Sequence, residues 1–241
     1  MQKRNRWPKA VFYDSKNTLF AWDAVWIKAA SNILRKYKSN IAPDDFQRQW
    51  GKFLTAENHR TAFGKYRKFT ESLRVSLVYA FKYYGIPGNP DDVRFMTDLW
   101  DEVQPFPDVL PALTRQKEIT KVFIYSNVET EYLEMMVNKL GGFRPDFLGD
   151  MDKSQSCKPS PRAYRWVLEN AGRKLNLELN FSDVLYVAGV QWDVQGAMAC
   201  GMKAAWVHRP YRYPAEIEGV RPDYEVDDLH EVTKIVEVNM V

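Results

Sequence analysis

The chain has 241 residues, 45% of them hydrophobic and 27% charged, with 34 lysines and arginines against 31 aspartates and glutamates. This is enough to bury a full core in one large α/β domain, or a core with a modest insertion, and it excludes disorder over most of the length. A net charge of +3 is too balanced for a dedicated nucleic-acid binder. No apolar run approaches the ~18 residues of a membrane span, and the stretch before Asp14 lacks the apolar segment of a secretory signal. Cys157 and Cys200 are the only cysteines. They leave no disulfide framework and no zinc cluster, and they fit a reducing, cytoplasmic setting. The short basic clusters Lys3–Arg6, Arg35–Lys38 and Lys65–Lys68 read as solvated faces or a loose tail.

In chain order, Ala10-Val11-Phe12-Tyr13 is the first strand and ends at Asp14. Turn-like Ser15-Lys16-Asn17 follows, then Thr18-Leu19-Phe20. Residues from about 22 to 104 are helical: Trp26, Ile27, Ala30, Ile33 and Leu34, and later Leu73, Val75, Leu77, Val78 and Phe81, recur at helical spacing with no strand between them. Gly85 to Pro90 breaks this pattern, and Asp91 or Asp92 is placed to cap the next helix. After Phe106-Pro107, strands and helices alternate. Strands are predicted at 121–125, 147–148, 184–188 and 204–207, and helices at 129–140, 160–172 and 193–200, with a last strand or helix in 222–241. Apolar strands alternating with helices imply a parallel sheet covered on both faces.

Ligands of such sheets bind beyond the carboxyl ends of the strands, so the residues there belong together. Asp14 ends the first strand and Thr18 lies four residues on; Ser126-Asn127 ends the second; Lys158-Pro159 opens a helix; Asp193 lies four residues past Gly189. Each alone is a common turn or cap residue. Their order and shared position at strand ends single them out.

That set resembles the haloacid dehalogenase superfamily over nearly the whole chain. The superfamily's Asp-x-x-x-Thr motif falls on Asp14 to Thr18, its Ser/Thr on Ser126, its Lys on Lys158, and its acidic cluster is reduced to Asp193. The resemblance implies a Rossmann-like α/β core over 1–21 and 105–241, with a helical cap domain inserted at 22–104. It makes Asp14 a nucleophile that Lys158 keeps ionised and Asp193 anchors, with Ser126 and Asn127 as donors to substrate. Most members are magnesium phosphatases with a second Asp two residues after the nucleophile and an acidic pair near the last motif. Here Lys16 and Gly189 stand at those positions. A cation beside the nucleophile repels magnesium, which prefers several carboxylate oxygens, so no metal or other cofactor is expected.

The branch lacking both acids contains the L-2-haloacid dehalogenases, which displace halide from C2 of short 2-haloacids through an aspartyl ester. Ser126-Asn127, Lys158-Pro159 with Tyr164, Gln191-Trp192-Asp193 and Gly196-Ala197 match it, and Gly64-Lys65-Tyr66 with Phe69 resembles its cap segment. That branch receives halide on an Arg; here Trp50 or Gly51 takes the position, with Arg48 and Lys52 nearby, and Ala188 and Val190 replace its Ser and Asn. The expected substrate is a small 2-substituted carboxylic acid, bound by Asn127, Lys16, Thr18, Trp192, Phe69 and Tyr164. A ring-opening alternative, on azetidine- or aziridine-2-carboxylate, places the leaving ammonium on the Trp50 face by a cation–π contact. A catalytically degenerate binding protein is the third reading. The resemblance also implies a homodimer. Cys157 adjoins Lys158, whose charge could lower its thiol pKa, but a bystander role is favoured for it.

Overall fold

The computed structural model describes residues 7–210 and 221–240; the Lys3–Arg6 cluster lies outside them. Six strands form one parallel sheet: β1 (Ala10–Tyr13), β2 (Lys121–Ser126), β3 (Phe147–Asp150), β4 (Val184–Ala188), β5 (Lys203–Val207) and β6 (Tyr224–Val226), in the order β3-β2-β1-β4-β5-β6. The tail therefore supplies both a strand and a helix. β1 is central, with Val11 opposite Val122 on one side and Leu185 on the other.

Side chains alternate across the sheet. Val11, Tyr13, Val122, Ile124, Leu185 and Val187 pack into one core; Ala10, Phe12, Phe123, Tyr125, Val184 and Tyr186 pack into the other. Burial on both faces explains why these strands read as apolar runs rather than as alternating ones.

The helices are α1 (Trp22–Lys36), α2 (Pro43–Phe63), α3 (Phe69–Tyr84), the single turn α4 (Arg94–Thr97), α5 (Val109–Ile119), α6 (Thr130–Asn138), the single turn α7 (Met151–Ser154), α8 (Pro161–Leu175), α9 (Gln191–Ala199) and α10 (Leu229–Met240). α5, α6 and α10 cover one face of the sheet, and α8 and α9 the other. After α3 the predicted cap moves: Asn89, not Asp91 or Asp92, accepts the Asp91 N–H at 2.9 Å, while Asp92 is buried against Lys36 and Tyr37. In the Lys65–Lys68 cluster both lysines are exposed, as a solvated face requires, while the Tyr66 hydroxyl donates to Asp152 and Arg67 pairs with Glu57.

The chain leaves the sheet for α1–α4 and returns beside its exit. Phe20 bridges Pro105, Ala21 N–H donates to the Gln104 carbonyl, and Phe106 N–H donates to the Leu19 carbonyl. In the sheet, progression runs outward from β1 through β2 to β3, then crosses back to β4 on β1's other side. That reversal opens a crevice beyond the carboxyl ends of β1 and β4, where Asp14 and Gly189–Asp193 lie.

Candidate active site

Asp14 continues β1, its N–H donating to the Val187 carbonyl at 3.0 Å. The next residues turn sharply, with Asn17 in the left-handed region at φ 54°. The turn brings the Thr18 hydroxyl back to donate to Asp14 Oδ2 at 2.8 Å, and that hydroxyl accepts the Gly189 N–H at 2.8 Å. A side chain at position 189 has no room, since a Cβ would lie 1.9 Å from the Asn17 carbonyl oxygen. The missing acid of this segment is therefore a packing requirement of the turn after Asp14.

Lys158 is 1% exposed and its ammonium has three close partners: Asp14 Oδ1 at 2.6 Å, Asp193 Oδ2 at 2.7 Å and the Tyr186 hydroxyl at 2.9 Å. Burial opposes this charge, but the Asp14 and Asp193 carboxylates together hold the ammonium above the ordinary lysine value. Asp193 accepts from Tyr164 on Oδ1 at 2.5 Å and from Tyr186 on Oδ2 at 2.7 Å. Burial pushes the Asp193 carboxyl up, and Lys158 pulls it back. Burial and the neighbouring Asp193 hold both phenols well above their ordinary value, so they stay protonated donors. Gly196 lets Tyr164 in: a Cβ there would meet its hydroxyl at 2.6 Å. With both oxygens occupied by donors, Asp193 anchors Lys158.

Asn127 uses its side chain on the Lys158 backbone. Oδ1 accepts the Lys158 N–H at 2.8 Å and Nδ2 donates to its carbonyl at 2.9 Å. Lys16 donates to the Asn127 carbonyl at 3.2 Å, and its ammonium lies 3.4 Å from the Phe69 ring centroid. Burial lowers the Lys16 pKa to about 7, with Asp14 pulling upward and Lys158 downward.

A cavity of about 290 Å³ opens above these groups. Asp14, Lys16 and Asn127 line it from the sheet, Trp192 from the start of α9, and Trp22, Asp23 and Trp26 from α1. Several sequence expectations change here. Trp50 is fully buried and does not line the cavity; its indole N–H donates to Leu73 O and Ser76 Oγ at 3.1 and 3.0 Å, and its ring packs edge-on against Trp26 at 5.2 Å. α2 turns Trp50 inward, and the cavity wall is Trp26, whose ring lies over Gly51. Trp50→Ala is therefore expected to cost roughly 3–5 kcal/mol, about 10 °C in thermal melting, read by calorimetry.

Ser126 is 0% exposed and accepts the Ser15 hydroxyl at 2.6 Å, so it faces the protein rather than a substrate. Tyr164 lies beneath Asp193, and Phe69 beneath Lys16; neither lines the cavity. Arg48 and Lys52 both line the cavity from α2; both are exposed, and Arg48 pairs with Asp44 and Asp45. Burial drives the Cys157 thiol up to about 12, outweighing Lys158, and its Sγ contacts the Asn58 carbonyl at 2.9 Å. Tyr186, Asp23 and Trp26 escape sequence reading. The one available signal for Tyr186 is a polar tip inside an otherwise apolar strand; for Asp23 and Trp26 it is a shared face at i, i+3. Among the described residues there is no group of three or more His, Cys, Asp or Glu arranged to hold a metal, and no helix long and apolar enough to cross a membrane.

No family model matches the chain. It is 24% identical over 185 residues to (S)-2-haloacid dehalogenase 1 of Pseudomonas sp. strain CBS-3, covering 73% of this chain and 76% of that protein. Its fold is similar to the L-2-haloacid dehalogenase of Xanthobacter autotrophicus, solved with chloropropionic acid covalently bound, with a TM-score of 0.77, 23% identity, and coverage of 95% and 98% of the two chains. A HAD-hydrolase of Bacillus subtilis bound to magnesium has the same TM-score of 0.77 at 14% identity, covering 96% and 99%.

Proposed function

We propose, for a chain with the fold of the L-2-haloacid dehalogenases, a metal-independent hydrolase that substitutes at C2 of a small 2-substituted carboxylic acid through an ester on Asp14. The observation that carries this reading is the Asp14 carboxylate itself. It is held by Lys158 on one oxygen and by Thr18 on the other, and it borders the cavity. An Asp14 oxygen attacks C2, and the C2–leaving-group bond breaks with its electron pair departing on the leaving group. Water then adds to the ester carbonyl, releasing the 2-hydroxy acid, the Asp14 carboxylate and a proton. α1–α3, within 22–104, act as a cap domain over the core of 1–21 and 105–241. The buried Cys157 and half-buried Cys200, both free thiols, suit a cytoplasmic setting.

A single turnover in ¹⁸O-water, with excess chelator present, tests the ester. The expected result is ¹⁸O in the Asp14 peptide and ¹⁶O in the first hydroxy acid formed. Label in the product alone overturns the covalent route, and activity that only magnesium restores overturns the metal-free one.

In this reading the Lys16 ammonium, on the cavity floor beside Asp14, receives the substrate carboxylate. Because burial sets its pKa to about 7, the charge is present below that pH and lost above it. KM is expected to rise roughly tenfold from about pH 6 to pH 8 with kcat little changed, and Lys16→Met should flatten that rise. The unfolded chain binds more protons than the folded one between about 7 and the ordinary 10.5. Wild-type stability should therefore increase with pH across that window, and the variant's should not.

Two leaving groups remain in view. Halide is supported by the similarity to haloacid dehalogenases. A strained ring amine is supported by the α1 side of the cavity, where two indole rings and the Asp23 carboxylate stand.

A further inference from the structure

We infer that the α1 wall of the cavity is a cation subsite, in which Asp23 between Trp22 and Trp26 receives an ammonium on C2 of the substrate, so that the substrate class is a small zwitterionic 2-amino carboxylic acid. This rests on the reading above for the carboxylate end only. Asp23 is 3% exposed yet lines the cavity, as do the two tryptophans that share its helix. Trp26 lies three residues on, on the same helical face, and Trp22 precedes Asp23 directly. A carboxylate in a low-dielectric site attracts a cation strongly, and indole faces add to that attraction.

The same wall repels a halide. The Asp23 carboxylate opposes an anion on this side; the guanidinium that lines the cavity, Arg48, comes from α2 and pairs with Asp44 and Asp45. Asp23 is also fixed relative to the nucleophile. Its N–H donates to Asn17 Oδ1 at 3.0 Å, and Asn17 belongs to the turn that follows Asp14. Gln47 Nε2 approaches Asp23 Oδ1 at 3.3 Å from α2. Lys16 and Asp23 attract each other across the site, so a cation and a carboxylate face each other in the part of the cavity beside Asp14, as the two ends of a zwitterion require; Arg48 and Lys52 line it from α2.

The competing account is that Asp23 only balances the charge of Lys16. Two unreactive probes of one shape separate these: L-proline, with a ring ammonium, and (S)-tetrahydrofuran-2-carboxylate, with a ring ether oxygen. By calorimetry on the wild-type protein, L-proline is expected to bind at least tenfold more tightly than the ether. In Asp23→Asn that preference is expected to vanish, mainly by loss of proline affinity. Equal binding of the two probes, tighter binding of the ether, no binding of either, or a preference unchanged in Asp23→Asn would overturn the subsite. The wild-type ratio decides even if the variant does not fold. Failure of the hydrolase reading is a different result: no turnover of any 2-substituted acid, with the proline preference intact.

Discussion

Asp14→Asn is expected to lower turnover of any accepted substrate by at least about 10⁴-fold while leaving the fold intact. The amide keeps the shape of the carboxylate and can still accept from Lys158, but it is not a nucleophile, and no other side chain stands where Asp14 does to form the ester. The assay is product formation by mass spectrometry from 2-chloropropionate and azetidine-2-carboxylate, beside circular dichroism of both proteins. A catalytically degenerate binding protein would bind either acid equally well with Asp or Asn at this position. Residual activity within tenfold of wild type would remove Asp14 from the chemistry.

The second large effect is on stability. Lys158 is the cation between two buried carboxylates, Asp14 at 2.6 Å and Asp193 at 2.7 Å. Removing one partner of a buried ionic cluster leaves uncompensated charge and costs roughly 3–5 kcal/mol, so Lys158→Met should melt about 10 °C lower. The deficit should depend on pH. Burial already pushes Asp193 up against the pull of Lys158, and without Lys158 that rise is unopposed. The folded variant then binds more protons than its unfolded chain, so its stability falls as pH rises. The gap to wild type should be smaller near pH 5 than near pH 8, by denaturant titration at each pH. A gap that does not change with pH would mean that loss of Lys158 leaves the titration of Asp193 as it was. Turnover should also collapse in this variant, because Asp14 loses the ammonium that holds its Oδ1 in place.

Much of the arrangement is legible in the sequence, for a local reason. A strand buried on both faces must be a short apolar run, and its carboxyl end is marked by the first polar residue. That rule places Asp14, Ser126 and Gly189–Asp193 at one sheet edge before any coordinates are known. Likewise the long helical stretch between β1 and β2 follows from periodicity alone. The element that carries the second carboxylate, α9, begins two residues before Asp193 rather than at it, a difference of the usual size at helix ends.

What the sequence alone determined, then, is the order of elements and the identity of the residues ending each strand, because both depend on near neighbours. Only the tertiary structure decided which side chains meet. Lys158 and Asp14 are 144 positions apart, and Ser15 and Ser126 are 111 apart. Whether Ser126 faces a substrate or another serine depends on packing across that distance. Trp50 and Trp26 are both helical tryptophans of a kind periodicity cannot rank; the docking of α2 on α1 and α3 buries one and leaves the other on the cavity. Tyr186 reads as core, and is core, yet its hydroxyl reaches Lys158 and Asp193 because α8 and α9 close over that face of the sheet. Asp23 sits in an apolar helical run as an ordinary first-turn acid, and becomes a cavity wall only because α1 starts beside the turn after Asp14.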